Sequence, residues 1–431
     1  MVQRLHAAEV AAIGFDVLFI EPDRTSPQAL APLWPLAPQT RQALLQLPDH
    51  DAVLAQNLAD RHVVLGFSLQ RERAAPPNER TPAVAARFVW LGGGAQPQAL
   101  HGFDSALVAL DKLERQAAGN GALTFVPDAD GVVRRVPLVL RLGDQLVPSL
   151  VTETLRVGLD ARNVMLRSAE QDRPALEEVR IGDLTLPTTA AGELWLHYIE
   201  PVPERFIPAW KLLDGSADPA LLQGHLVLVG SSAQGLMDLR FNSLGRIMPG
   251  VEAHAQALEQ ALGGHFLTRP TWALGLEALL QALGTVLLVL LAIYARALWA
   301  AAAAALLIGA ALWGGWWAFS SQGLLFNSVI PALVWSAAFV VASLAHHFRS
   351  EQQQRFIKQA FARYVSPNRV EYLVEHPQDL NLGGQRQTCS FVFTDLAGFT
   401  NLMEKTDPGD ALGLLNQYLE QMIEIAFKHQ G

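Results

Sequence analysis

Cysteine is almost absent: Cys389 is the only one in 431 residues, and its place near the C-terminus excludes a disulfide framework for everything before it. The long N-terminal part must therefore be held by its apolar core alone, which its length permits. Charge is scarce too, with 17% Asp, Glu, Lys and Arg against 50% hydrophobic residues. That scarcity is local: Leu298 to Phe319 and Leu324 to Ala345 have no charged residue, and Trp272 to Tyr294 has only Glu277, with Gln281 one turn on. A secretion signal is also missing, since Glu9 and Asp16 interrupt Met1 to Glu21 and no basic head precedes an apolar core. The histidines His50, His62, His101, His225, His254 and His265 lack metal-ligand spacing, which leaves surface or core roles. Gly92-Gly93-Gly94 has no phosphate-loop lysine and reads as a flexible loop.

The apolar excess has a simple location. Trp272–Tyr294, Leu298–Phe319 and Leu324–Ala345 each match the ~20 residues that cross a ~30 Å hydrocarbon core as a helix. Glu277 and Gln281 are tolerable there if they face the bundle or the interface. Alanines from Trp299 to Leu307 allow close helix contact. Trp272, Trp299, Trp313, Trp316, Trp317 and Trp335 serve either as interface anchors or as packing inside the bundle. Arg296 lies between the first two runs, Ser320 to Gly323 is uncharged, and Arg349, Arg355, Lys358 and Arg363 follow the third. Basic residues stay on the cytoplasmic side, so the N-terminal part is expected outside and the C-terminal part inside. An exported domain needs a signal or an earlier span, so either an upstream helix or a different natural start is expected.

Met1 to Arg269 reads as mixed α/β. Ala8 to Ile20 passes from a helical pattern to a strand over Phe15 to Ile20, and Val63 to Leu69, Phe88 to Leu91 and Leu226 to Gly230 are further strands. Ser105 to Gln116 and Val251 to Leu262 have helical periodicity. Ala122 to Val126 and Val132 to Leu140, joined by Pro127 to Gly131, predict a hairpin because Asp130-Gly131 supplies the turn. Proline-rich Glu21 to Thr40 and Arg71 to Pro82 are expected to be surface loops. Asp16 at a strand end and Asp238 after Gly230 either line a pocket where strands end or cap the local backbone.

Three separated motifs carry a resemblance: Gly14 to Phe19 with Glu21-Pro22-Asp23, Pro127 to Pro137, and Leu228 to Ser232 leading through Asp238 to Met248 to Ala255. Together they resemble the extracytoplasmic CHASE-type sensor domain of the second kind. The resemblance implies a sensory role for an unspecified stimulus, and a three-helix membrane segment after the domain.

After the membrane, Phe348 to Val374 reads as a helix with Phe356, Ala360 and Tyr364 on one face, bent near Pro367; it is either a mechanical link favouring dimers or a spacer. A strand over Gln387 to Thr394 is expected to end at Asp395, with a turn over Leu396 to Gly398 and a helix from Phe399-Thr400. A carboxylate there suits a divalent cation, and the turn amides suit phosphate oxygens, although such an Asp more often caps. Phe361 to Pro367, Leu382-Gly383-Gly384, Phe391 to Thr400 and the helix Pro408 to His429 resemble the opening of a class III adenylate or guanylate cyclase. That resemblance implies a ferredoxin-like α/β catalytic domain with two cations, Mg2+ or Mn2+. Asp395 and the Leu396 backbone are implied as metal ligands, Phe399 and Thr400 as triphosphate contacts, ATP as substrate and a homodimer as the active state.

The expected organisation is an α/β sensor domain over 1–269, three spans over 272–345, a helical linker over 346–384 and the start of a cyclase domain over 385–431. No nucleic-acid partner is expected. The second metal aspartate, base-selecting residues and ribose-holding Asn and Arg that the family uses have no match here, so the chain as given is expected to be inactive. Two alternatives stand beside the cyclase: a receptor coupled to a histidine kinase or phosphatase, and a non-catalytic sensory membrane module.

Overall fold

The computed structural model describes residues 1–71, 80–91, 99–168, 175–233, 238–362, 388 and 390–429. Two compact units emerge: Met1–Ala282 with Ile308–Ala332, and Leu283–Leu307 with Leu333–Gly431.

The first unit is built on a sheet in which Leu226–Gly230, Ala12–Asp16, Val63–Gln70 and Gly119–Ala122 run parallel in that order, while Ser105–Leu107 adds antiparallel to the far end of Val63–Gln70. Parallel strands are covered on both faces and so are apolar throughout. The strand period of two then divides the side chains. Ile13, Phe15, Val63 and Leu65 pack with Val2, Leu5, Leu58 and Leu113 from the N-terminal helices and the helix Asp111–Glu114. Ala12 and Val64 turn the other way, against Leu150 and Val157 of the helix Leu150–Gly158. Ser149 caps that helix by accepting from the Thr152 amide. Each fully buried Leu, Ile or Phe contributes about 1.5–3 kcal/mol, and this core stands in for disulfides.

A second layer holds the antiparallel strands Leu184–Pro187, Leu176–Ile181 and Asn163–Ser168, with Arg87–Leu91 parallel to the last. The helix Gly250–Gly263 buries Ala253, Ala257 and Ala261 in the core cluster to which these strands contribute Val164, Leu166, Val179 and Ile181.

Several sequence expectations shift. The first strand is Ala12–Asp16 rather than Phe15 to Ile20, because its ladder with Leu226–Gly230 ends at the pair Asp16 and Gly230. Ser105 to Gln116 is a strand followed by the short helix Asp111–Glu114, not one helix. Glu21 to Thr40 contains the helix Pro27–Leu30 and the start of Pro38–Leu45. Of Arg71 to Pro82, residues 72–79 lie outside the described residues, as does Gly92-Gly93-Gly94. The hairpin does not form. Its turn is present, with the Asp128 amide donating to the Val132 carbonyl at 3.0 Å and Gly131 at φ 79°. The arms part, however: Gly119–Ala122 joins Val63–Gln70, Arg135–Pro137 joins Glu193–Trp195, and Val139–Leu142 joins Gln145–Pro148.

Three helices, Ala273–Tyr294, Ala297–Gln322 and Val329–Ala362, are long and apolar enough to cross a membrane. The third begins at Val329 and not at Leu324, since the backbone before it is occupied: the Thr268 amide donates to the Gly323 carbonyl and the Leu325 amide to the Thr268 carbonyl, both at 2.8 Å. Glu277 faces the same junction, accepting from the Arg269 guanidinium and the Asn327 amide, each at 2.8 Å. Its charge is thus satisfied at the helix start, as an intramembrane carboxylate requires.

In the second unit, Ala300 and Ala304 of the middle span are buried, and Gly284 meets Trp335, whose Cε2 would lie 2.5 Å from an added Cβ. Val329–Ala362 continues through the basic cluster as one helix; the rest of the expected linker helix lies outside the described residues. Phe399–Lys405 and Pro408–Lys428 are helices, where the turn after Asp395 and the cyclase resemblance placed them.

Candidate functional site

The order of the main sheet decides where a site can form. From Ala12–Asp16 the chain moves to Val63–Gln70 on one side and returns last with Leu226–Gly230 on the other. Open parallel sheets bind ligands at the carboxyl ends of strands where the order reverses in this way. Asp16 and Gly230 are the paired residues at that edge.

Three further segments close on it. The loop after Gly230 brings Asp238, the strand Leu239–Phe241 brings Arg240, and the helix Gly250–Gly263 brings His254. Close approach is possible because two positions lack side chains: a Cβ on Gly230 would lie 2.5 Å from Val251, and one on Gly250 would lie 2.6 Å from the Asp238 Oδ2. The Gly250 amide donates to the Asp238 carbonyl at 2.9 Å. Arg240 pairs with Asp238 at 2.8 Å and stands 5.5 Å over the Phe125 ring. Phe125 in turn stacks on His254 with 4.3 Å between ring centroids.

The electrostatics are unusual for a capping role. The Oδ2 of Asp16 is buried without a hydrogen-bond partner. Burial, reinforced by the nearby Asp238 carboxylate and opposed by Arg240, pushes its carboxyl up to about 7. Against an ordinary carboxyl at 3.8, ionising Asp16 in the folded chain costs on the order of 4 kcal/mol more than in water. His254 is 1% exposed, and neither ring nitrogen has a partner. Burial first, and Arg240 second, push it down to about 3; the Leu123 backbone pulls the other way without reaching hydrogen-bond geometry. The ring is neutral at any ordinary pH. The Asp16 Oδ2 caps no backbone group, and Asp16 lies close enough to Asp238 for the two charges to act on each other.

Sequence reasoning overlooked Phe125, Arg240 and the buried state of His254. Arg240 stands in the motif running from Leu228 to Ala255, between Asp238 and His254, and could have been found there; Phe125 lies outside that motif. Elsewhere buried acids are paired: Glu193 accepts from His101 at 2.9 Å and Arg135 at 2.8 Å, and Glu153 accepts from Arg156 at 2.7 Å. These are structural pairs. Among the described residues no cluster of three His, Cys, Asp or Glu could hold a metal ion.

At the C-terminal end, the strand expected over Gln387 to Thr394 is not formed over the described residues of that range, 388 and 390–394. Phe391 to Leu396 has no regular structure, and Phe391, Val392 and Phe393 are exposed. A strand exists only through its ladder partners, and no strand is found among the described residues beyond the third span. The turn and helix do form: Gly398 adopts φ 81°, the Phe399 amide donates to the Leu396 carbonyl at 3.1 Å, and Phe399 opens the helix Phe399–Lys405. Asp395 and Thr400 are exposed, while Leu396 and Phe399 are half-buried. Gln387, Cys389, Arg363 to Pro367 and Leu382 to Gly384 lie outside the described residues.

A family model for the CHASE2 domain matches residues 1–294. The chain belongs to the CHASE2 family. No curated protein matches it, and no solved structure does. The CHASE2 match runs from the first helix through the first span, so the Asp16 crevice lies inside the sensor domain. The protein is a multi-pass membrane protein: its three spans separate an extracytoplasmic CHASE2 domain from a C-terminal region on the cytoplasmic side.

Proposed function

We propose that this CHASE2 protein is the sensory and membrane-spanning part of a receptor whose output domain is a class III nucleotide cyclase, opening at the Asp395 turn. The observation that carries the sensor-to-output reading is continuity: the helix of the third span runs without a break from Val329 to Ala362. Such a helix passes a displacement from outer domain to cytoplasm. The cyclase part is supported by Phe391 to Thr400 in sequence and by the turn and helix at Gly398-Phe399.

The described residues do not fit a two-cation centre by themselves. Asp395 is a single exposed carboxylate with no clustered partner acids, whereas two-metal catalysis needs ligands for both ions. No catalytic step is derived from it. A non-catalytic sensory or regulatory module is the second reading, favoured by the same lack of a ligand cluster.

The two readings separate by assay of cyclic nucleotide formation from ATP and from GTP with manganese. Membranes holding the chain extended to its natural stop are compared with the same protein carrying Asp395→Ala. Activity abolished by the substitution is the expected result. Activity that survives it removes the metal role of Asp395, and absence of activity in the extended chain leaves the non-catalytic module.

A further inference from the structure

We propose that Asp16 is a proton-binding site through which the CHASE2 domain responds to acidity outside the cell, with Arg240 exchanging between Asp238 and Asp16. The inference rests on the sensor reading and names the stimulus. Its basis is geometric. Asp16 ends the first strand at the point where the sheet order reverses, and its Oδ2 is buried with no hydrogen-bond donor. Arg240, a cation that acts on Asp16 through its charge, is already held by Asp238 at 2.8 Å. Two carboxylates, the buried Asp16 and the partly exposed Asp238, thus lie within the electrostatic reach of one guanidinium that bonds only to Asp238. Such a site keeps its spare acid neutral by binding a proton.

The surroundings leave Asp16 as the group that titrates. Asp238 and Arg240 face it from the loop and the strand Leu239–Phe241, and the fully buried His254 stays neutral on the helix Gly250–Gly263. Glu252 on that helix bonds to Gln256. The helix Leu150–Gly158 offers the unpartnered Thr154 hydroxyl near Gly14, while its Glu153 and Arg156 are bonded to each other. The neighbouring strands Val63–Gln70 and Leu226–Gly230 carry no charged residue.

The direction of the response follows from charge. With its carboxyl pushed up to about 7, Asp16 is protonated in acid, and the Asp238–Arg240 pair is undisturbed. Above that range a second anion competes for Arg240. Asp238 is bound to the start of the helix Gly250–Gly263 through the Gly250 amide. Drawing Arg240 away loosens that helix start. The same helix leads to the Thr268 bridge at the membrane, so the proton has a mechanical route to the spans.

The test is peptide-resolved amide hydrogen exchange on the full chain in lipid nanodiscs between about pH 5.5 and about pH 8.5, with rates corrected for intrinsic chemistry. In the wild type, protection over Leu239 to His254 should fall as pH rises through about 7. Asp16→Asn should hold the acid level of protection at every pH. Asp238→Asn removes the ion pair whose loss is being read, so protection over Leu239 to His254 should stay near the alkaline level at every pH. A wild type with no transition overturns the proposal, as does a transition that persists unchanged in Asp16→Asn. Should Asp16→Asn not fold, a wild-type transition that persists in Asp238→Asn is decisive against it. The measurement reads the crevice itself, so failure of the cyclase reading leaves the result intact; failure of the sensor reading appears separately, as an outer domain not exposed outside the cell.

Discussion

At Gly121 the main sheet and the helix Leu150–Gly158 touch backbone to backbone. A Cβ there would lie 2.6 Å from the Leu150 Cα and 2.8 Å from the Ser149 carbonyl oxygen, atoms that cannot rotate away. Gly121→Ala is therefore expected to destabilise the outer domain by about 1–3 kcal/mol, the range for overpacking a filled core, as read from urea denaturation of the solubilised protein. An unchanged midpoint would mean that the helix can slide off the strand. The sequence reading assigned nothing to Gly119-Asn120-Gly121, because a glycine-rich run has no hydrophobic period to mark it as a strand. Asp16 and His254 divide in the same way. The strand end that carries Asp16 was legible from Val17-Leu18 and Pro22, although misplaced by a few residues. The burial of His254 was not, because it depends on Phe125, a residue far away in the chain that stacks on it.

Among the elements, those defined by a long local pattern were legible. The three spans, the strand Leu226–Gly230 and the helix Gly250–Gly263 emerge close to where their hydrophobic patterns put them, and the helix Pro408–Lys428 stands where the cyclase resemblance put it. The hairpin around Asp130-Gly131 was not, because its turn is local and its pairing is not: Arg135–Pro137 finds its partner at Glu193–Trp195. The start of the third span was displaced for the same reason, by the bridge from Thr268 to Gly323 and Leu325. Glu277 secures that junction. Glu277→Ala leaves the Arg269 guanidinium and the Asn327 amide without their acceptor, and is expected to cost about 1–3 kcal/mol, measured as a lower thermal aggregation temperature in detergent. Glu277→Gln keeps a carbonyl oxygen and should lose less. Equal stability of all three proteins would show the junction to be incidental.

For the whole molecule, the positions of basic residues and the junction agree. The loop from Gly323 to Asn327 is bonded to Thr268 and Glu277, so it lies on the side of the outer domain, as the lack of charge between the second and third spans requires. The lone cysteine makes this testable with little engineering. A membrane-impermeant thiol reagent should leave Cys389 unlabelled in intact cells and label it once the membrane is opened. On a Cys389→Ser background, Ser216→Cys, on the exposed surface of the outer domain, should react in intact cells. Labelling of Cys389 from outside would reverse the topology.

The unbroken helix from Val329 to Ala362 has 34 residues, a rod roughly 50 Å long. About 30 Å of it is taken up by hydrocarbon. What projects beyond is a shaft with angular phase. Each residue added or removed between Ser350 and Ile357 turns whatever follows by about 100° and shifts it by about 1.5 Å, while a change of about seven residues nearly restores the original bearing. Output should therefore vary with the length of this shaft as a wave, and not as a slope.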